Sequence, residues 1–456
     1  MYNHQTVVAR CTPSGTGALA LIRISGPLAI FVATASSRLC NKKKLDTVGT
    51  HTIHYGSVVD SCGGTIDQVL FLVMHAPHTF TGHDTVEITC HNNPFLVNTI
   101  IKRAIENGAR LAREGEFTRQ AVENGKIDCL QAEAINELIK SNTHASIAKS
   151  LAQLEGSLSA YVATIEQRLI KAVALAQASF EFLDEEDMEF GDQIYDLIAQ
   201  SLQEIASLCS ASKKQHYIRQ GFRIALIGTV NAGKSSLFNA LVGEKRAIVT
   251  AIAGTTRDSI EYGLYTNDTY VTFIDTAGIR NTNNIIEQEG IQRAHFAALQ
   301  SDIVLLVTDR SKRLTEQQAA MYKNAVEKYG SKCILVKTKS DLKEQNSISL
   351  PIQTMHTSIK SDESIQILKG AMLQKIEALI GSGNVPFLLN ERHVGILETT
   401  EQLLKNIEPM LRNTPIFYEL IAYQLGDVMT NLSQMSGRSL SEQSMDELFR
   451  SFCIGK

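Results

Sequence analysis

The chain has 456 residues, 44% hydrophobic and 20% charged, with a net charge of −4 at neutral pH. That is ample material for globular cores, in about three domains, and it carries no polybasic signature, so any bound RNA is met by a local patch. Eight scattered cysteines without a Cys-x-x-Cys pair argue against a zinc ribbon or a disulfide scaffold.

No run of 18 apolar residues occurs, and the start lacks a basic segment followed by an apolar core. No membrane span or signal peptide is therefore expected, and a reducing cytoplasm is the simplest setting. Residues 1–125 read as a mixed α/β domain. Strands are predicted at Val7–Ala9, Ala18–Ile24, His51–Val58, Gln68–Met74 and Asp84–His91, punctuated by glycine and proline. Pro94 opens a helix striped by Leu96, Ile100, Ile101, Ala104 and Ile105.

Residues 126–220 read as helical. Ile127, Leu130, Ala134, Leu138 and Ile139 fit one helix. The stripe from Leu151 through Leu158 and Leu169 to Ala176 fits a longer one, and Ile194 to Leu208 a third. The acidic stretch Asp184–Glu189 breaks the run. Residues 221–380 alternate strand and helix patterns, with buried strands expected at Ile224–Ile227, Val271–Ile274, Ile303–Val307 and Cys333–Val336. That predicts a doubly wound parallel sheet. Residues 381–456 return to helical spacing, with Ile396, Leu404, Leu411, Leu425 and Leu432 on one stripe. Two helical blocks that would each expose an apolar stripe predict one helical domain, into which the α/β domain is inserted.

The chemistry concentrates in that insert. Gly228–Ser235 spells Gly-x-x-x-x-Gly-Lys-Ser between a strand and a helix, as a phosphate-binding loop requires. Its backbone N–H groups and the helix N-terminus suit an anion. Lys234 would reach the β- and γ-phosphates, and the Ser235 hydroxyl would ligate Mg²⁺. Four elements follow in the order expected of a GTPase. Thr255-Thr256-Arg257-Asp258 can close over the γ-phosphate, with a threonine on Mg²⁺. Asp275-Thr276-Ala277-Gly278 ends a strand, where its Asp can hold Mg²⁺ through water and the Gly278 N–H can face the γ-phosphate. Thr338-Lys339-Ser340-Asp341 ends another, where Asp341 can accept two hydrogen bonds from guanine that adenine cannot offer. Ser358-Ile359-Lys360 fits the last base-contacting loop, weakly. Ile279 stands where Ras-like switches carry a water-orienting glutamine, so another carboxylate or a cation must assist. Glu287 is one candidate, and otherwise a solvated loop charge.

Asn231, the stretch Thr250-Ala251-Ile252-Ala253-Gly254-Thr255-Thr256-Arg257-Asp258 and the terminal Phe452-Cys453-Ile454-Gly455-Lys456 together resemble the MnmE (TrmE) family of tRNA uridine-modification GTPases. So do Leu21–Gly26, Phe80-Thr81-Gly82, Gly115-Glu116-Phe117-Thr118 and Gln131-Ala132-Glu133-Ala134, and the likeness runs nearly end to end. It implies a multidomain chain: an α/β N-terminal domain like the folate-binding domains of one-carbon enzymes, a central helical domain and an inserted Ras-like P-loop GTPase domain. It implies GTP contacts at Asn231, Ala232, Gly233, Lys234, Ser235 and Ser236, at Thr250, Ala251, Ile252, Ala253, Gly254, Thr255 and Thr256, and at Asp275, Thr276, Ala277, Gly278, Thr338, Lys339, Ser340 and Asp341.

The resemblance further implies a K⁺ ion held by Asn231, Thr250, Ile252 and Thr255. The ion takes the place of an arginine finger, a part worth roughly 10³–10⁵ in rate. Mg²⁺ falls on Ser235 and Thr256, and the water-orienting glutamate falls on Glu287. A tetrahydrofolate one-carbon donor, the 5,10-methylene or 5-formyl form, falls on Arg23, Glu87, Lys126 and Lys456. Read alone, Arg23 is a strand-end charge and Lys126 a helix-start charge. Cys453 matches a family cysteine discussed as catalytic. A homodimer through the N-terminal domain and a heterotetramer with an FAD-bearing partner of the MnmG (GidA) type are implied, acting on C5 of the tRNA wobble uridine.

Two departures stand out. Thr338 occupies the usual asparagine position, and losing one hydrogen bond predicts GTP binding weaker by roughly 0.5–1.5 kcal/mol. Ala251 stands where an acidic residue is common. A ribosome-assembly GTPase would instead need a KH-like or basic C-terminal domain, which is not apparent, and a GTP-switched scaffold without modification chemistry is a third reading.

Overall fold

The computed structural model describes residues 5–15, 17–181, 190–212, 215–242, 247–248, 260–266, 269–275, 296–380, 386–413 and 415–455. These fall into two compact units. One gathers residues 1–137, 151–206 and 391–456, and the other residues 138–150 and 207–390. Among the described residues, no helix is long and apolar enough to cross a membrane.

The first unit begins with β1 (Val7–Arg10), β2 (Leu19–Ser25), α1 (Ala29–Ala35), β3 (Ser37–Leu39), β4 (Thr52–Val59), β5 (Thr65–Met74), β6 (Thr85–His91), α2 (Pro94–Glu106), β7 (Arg110–Leu111) and α3 (Glu116–Glu123). The strands form a seven-stranded sheet in the order β3-β4-β5-β6-β2-β1-β7, antiparallel except for the β1–β7 pair. Period-2 alternation sorts the side chains. Ile22, Ile24, Phe71, Val73 and Ile88 face a core closed by Val32 of α1 and by Val97 and Ile100 of α2. The opposite face carries exposed apolar residues on neighbouring strands: Leu19, Ile53, Tyr55 and Leu70. At the β1 end of that face, Phe117 of α3 is buried with Val7 and Ala9.

Helices α4 (Cys129–Lys140), α5 (His144–Leu154), α6 (Ser157–Glu181), α7 (Gly191–Ser212) and α8 (Gln215–Gln220) follow. The stripe predicted as one long helix is two, parted at Gly156, whose φ of +96° lies outside the helical region. The acidic stretch 184–189 lies outside the described residues. After the inserted segment, helices Glu391–Ile407, Tyr418–Ser436 and Glu442–Arg450 rejoin the first unit, and the Tyr418–Ser436 helix packs along α6. Arg438 binds Glu166 across that contact. Deeper, Glu133 of α4 accepts from Arg392 and pairs with His393 Nε2 at 2.6 Å. Burial alone would raise the Glu133 pKa, but His393 and Arg392 outweigh it and lower it to about 2.

The second unit holds β8 (Phe222–Ile227), α9 (Lys234–Val242), β9 (Ala247–Ile248), β10 (Ile260–Thr266), β11 (Thr269–Asp275), β12 (Ile303–Asp309), β13 (Cys333–Thr338) and β14 (Thr354–His356). Their order is β14-β13-β12-β8-β11-β10-β9. The first five are parallel, and β10 and β9 form an antiparallel margin. Every residue of β12 and β13 is buried: the apolar runs Ile303–Val307 and Cys333–Val336 because helices cover both faces, and the polar ends Thr308, Asp309, Lys337 and Thr338 at the site end of the sheet. One face packs against Leu237 and Leu241 of α9 and Leu368 and Met372 of the Asp362–Ile380 helix. The other packs against Tyr322 of the Glu316–Tyr329 helix and Ala298.

Candidate functional site

In the second unit, β8 delivers the chain to the phosphate loop at the sheet's C-terminal edge, where open α/β sheets bind ligands. Gly228 lies so close to β12 that a Cβ there would meet the Val307 carbonyl oxygen at 2.0 Å. Asn231 and Gly233 take φ of +61° and +92°, curling the loop before α9 begins at Lys234. The Lys234 ammonium donates to the carbonyls of Gly228 and Thr229, both at 2.8 Å, so it lies folded over the loop. Ser235 and Ser236 are exposed in the first turn of α9.

The base-recognition segment is built beside this loop. Thr338 is buried at the end of β13, with its hydroxyl 2.7 Å from the Ala232 carbonyl. The threonine thus keeps a tie to the phosphate loop, and its methyl and hydroxyl lie over Gly233. Lys339 has φ of +57° and pairs with Asp309 at 2.6 Å. Burial pushes the Asp309 carboxyl up, but hydrogen bonds from Lys339 and Ser311 outweigh it and hold it below its usual value. Arg310 donates to the Ser340 carbonyl at 3.1 Å. Asp341 accepts from Ser358 at 2.8 Å and pairs with Lys360 at 3.0 Å. Those two partners lower its pKa, which favours the ionised carboxylate. The weakly predicted Ser358-Ile359-Lys360 loop is therefore brought to the aspartate.

Asp275 ends β11, which pairs in parallel with the phosphate-loop strand through Ile274 and Ala225. Thr250, Ala251, Ile252, Ala253, Gly254, Thr255, Thr256, Thr276, Ala277, Gly278 and Glu287 lie outside the described residues.

Sequence reasoning passed over Tyr322. Its fully buried hydroxyl donates to the Val307 carbonyl at 2.7 Å and accepts from the Thr229 N–H at 3.1 Å. A tyrosine on a helical stripe reads as core, and only the fold shows that its tip supports the loop.

The first unit assembles the other predicted group. Arg23 and Glu87 are register partners on β2 and β6, joined at 2.8 Å. The Arg23 guanidinium also lies 5.3 Å from the centre of the Phe117 ring. Two residues along β2, Ser25 meets Thr81 at 2.7 Å, and Asn124 donates to the Thr81 carbonyl at 2.7 Å. A Cβ at Gly82 would lie 3.3 Å from Lys126 Cε, so Lys126 packs on this loop.

The C-terminal tail docks on the same sheet. Gly115 N–H donates to the Cys453 carbonyl at 3.3 Å, and Glu114 and Ile454 form an antiparallel bridge. Gly455, at φ of +95°, lies so near Arg10 that a Cβ would meet its carbonyl at 2.5 Å. Phe452 and Phe449 anchor the tail with Ala132. The Cys453 side chain is exposed, and Lys456 lies outside the described residues.

Residues 6–126 match the family model described as the GTP-binding protein TrmE N-terminus, and residues 130–453 match the MnmE helical domain. The tRNA modification GTPase MnmE of Bacillus velezensis is 34% identical, the alignment covering 99% of this chain and 100% of that protein. MnmE of Bacillus subtilis strain 168 is 34% identical over the same shares. MnmE of Listeria welshimeri is 34% identical over 99% of each chain. With two family models and full-length relatives meeting on a chain that carries a phosphate loop, the Thr338–Asp341 strand end and a docked C-terminal tail, this chain belongs to the MnmE (TrmE) family of tRNA modification GTPases.

Proposed function

We propose that this GTP hydrolase of tRNA modification is activated by potassium and works with an FAD-bearing partner of the MnmG type. Together they modify C5 of the tRNA wobble uridine with an aminomethyl or carboxymethylaminomethyl group. Tetrahydrofolate in its 5,10-methylene or 5-formyl form supplies the carbon. Family membership supports GTP hydrolysis in tRNA modification. The finer steps rest on the residues, divided as a folate-binding and dimerising part (1–125), a helical domain (126–220 and 381–456) and a GTPase domain (221–380).

The observation that carries this reading is the docking of Phe452–Gly455 against Gly115, Arg10 and Cys11. It lays the Cys453 segment on the sheet that also bears the Arg23–Glu87 pair. A pterin needs a carboxylate and donors, and a glutamyl tail needs cations. Glu87, Arg23, Lys126 and Lys456 supply these, and Phe117 adds an apolar wall. The exposed apolar residues Ile53, Tyr55, Leu70 and Leu19 share this sheet face, which supports a second copy as its cover.

In the GTPase part, the loop from Gly228 cradles the triphosphate, Lys234 swings from the loop carbonyls onto it, and Asp341 selects guanine. Ser235 and Thr256 hold Mg²⁺, and Thr250, Ala251, Ile252, Ala253, Gly254 and Thr255 close over the nucleotide. Asn231, with Thr250, Ile252 and Thr255, holds K⁺, which supplies positive charge where negative charge develops. Glu287 orients water. The role of Cys453 is proposed as catalytic in the transfer.

Nucleoside analysis of tRNA from cells lacking this protein tests the whole. The wobble modification should disappear, and an unchanged wobble uridine would return the ribosome-assembly and scaffold readings. GTP hydrolysis should be much faster in K⁺ than in Na⁺, and equal rates would reject the role of Asn231.

A further inference from the structure

A cleft of about 420 Å³ opens in the first unit between α3 and the Glu442–Arg450 helix. Its volume lies within the roughly 300–1,000 Å³ of small-molecule sites. Its walls are fixed by charge pairing. Arg119 of α3 binds Asp446 across the cleft and Glu123 along its own helix at 2.7 Å. Glu116 is held by Arg110 and by the Arg113 N–H at 2.8 Å. Ile454 of the docked tail lines one side, directly after Cys453.

Among the described residues, three groups lining this cleft take no part in the pairing: Gln120, Arg450 and the exposed Glu114 carboxylate. Gln120 is 94% buried, yet among the described residues its side-chain carbonyl accepts no hydrogen bond. A buried acceptor without a donor needs a physical account, and a ligand group is one that this cleft can admit. Arg450 lies exposed at the rim, with no ion-pair partner among the described residues.

We propose that this cleft binds one uridine nucleotide of the RNA substrate, with Gln120 accepting from the base and Arg450 meeting the backbone phosphate. The inference deepens the tRNA reading above and rests on it. An enzyme that works on a base must take it out of the stack into a pocket. Unstacked bases are read on their pairing edges and packed against apolar or guanidinium surfaces. Uracil presents an N3–H donor at the centre of that edge, which matches the Gln120 carbonyl, whereas cytosine presents an acceptor there. Ile454 offers the apolar side, and the tail brings the nucleotide beside the Cys453 segment.

The test uses the full chain with GTP and an anticodon stem-loop RNA carrying 4-thiouridine at the wobble position. After irradiation, crosslinked peptides are mapped by mass spectrometry. Crosslinks are expected within residues 113–123 or 445–454. Gln120→Leu should lower affinity for the stem-loop about three- to tenfold and remove any preference for uridine over cytidine at that position. Arg450→Ala, at an exposed position that leaves the fold intact, should weaken binding and flatten its salt dependence. Crosslinks confined to other segments, or both variants binding like the parent chain, would overturn the cleft while leaving the tRNA reading standing. A parent chain that binds no stem-loop at all would likewise overturn the cleft, while the tRNA reading stands or falls on the nucleoside analysis above.

Discussion

The Tyr322 hydroxyl bridges the Thr229 N–H and the Val307 carbonyl, so one buried oxygen sets the spacing between the phosphate loop and β12. Tyr322→Phe leaves that donor and acceptor unmatched and should cost about 1–3 kcal/mol in chemical denaturation, with weaker GTP binding by titration. An unchanged GTP affinity would show that the loop holds its shape without this tie. Thr338 belongs to the same scale. Its hydroxyl reaches Ala232, so Thr338→Val keeps the shape and loses the tie. A fall in GTP affinity of roughly 0.5–1.5 kcal/mol is expected. Lys234 and Asp341 are singled out by the sequence because their expected chemistry is tied to local spacing. Tyr322 is not, because its partners lie 93 and 15 residues away in the chain.

At the scale of elements, the tail behaves as a short strand that needs a partner. Gly455→Ala places a Cβ at a positive φ and against the Arg10 carbonyl, a strain of about 1–3 kcal/mol. The tail should then detach, becoming sensitive to carboxypeptidase, and folate affinity should drop while GTP affinity holds. The Glu133 cluster links α4 to the Glu391–Ile407 helix. Its carboxyl titrates near 2 when folded, against 4.5 unfolded, so its stabilisation is full above pH 4.5 and is lost as pH falls toward 2. Glu133→Gln should therefore flatten the acid end of a stability–pH curve. At neutral pH it should also destabilise the fold in chemical denaturation, because the buried His393 and the half-buried Arg392 lose the carboxylate they share. Hydrophobic spacing located the long helices but ran α5 into α6, because periodicity continues across Gly156 while the backbone does not. The short strands β3 and β7 were missed, since two or three residues carry no period.

At the scale of the whole molecule, the N-terminal sheet has one face closed by α1 and α2 and an opposite face with Leu19, Ile53, Tyr55 and Leu70 exposed. If a second copy covers that face, Leu70→Asp should turn a dimer into a monomer in sedimentation, with near-parental thermal stability. A monomeric parent chain would remove the basis of the proposal. Composition, the phosphate loop and the strand-end motifs determined by themselves that this is a multidomain GTPase, because glycine corners, a lysine and an aspartate act within a few residues of one another. Tertiary structure alone decided that Arg23 meets Glu87, that the tail lies on Gly115 and Arg10, and that the Gln120 carbonyl, beside a cleft, has no donor among the described residues. Each of those contacts joins distant segments, and they meet only after the chain has buried its apolar faces.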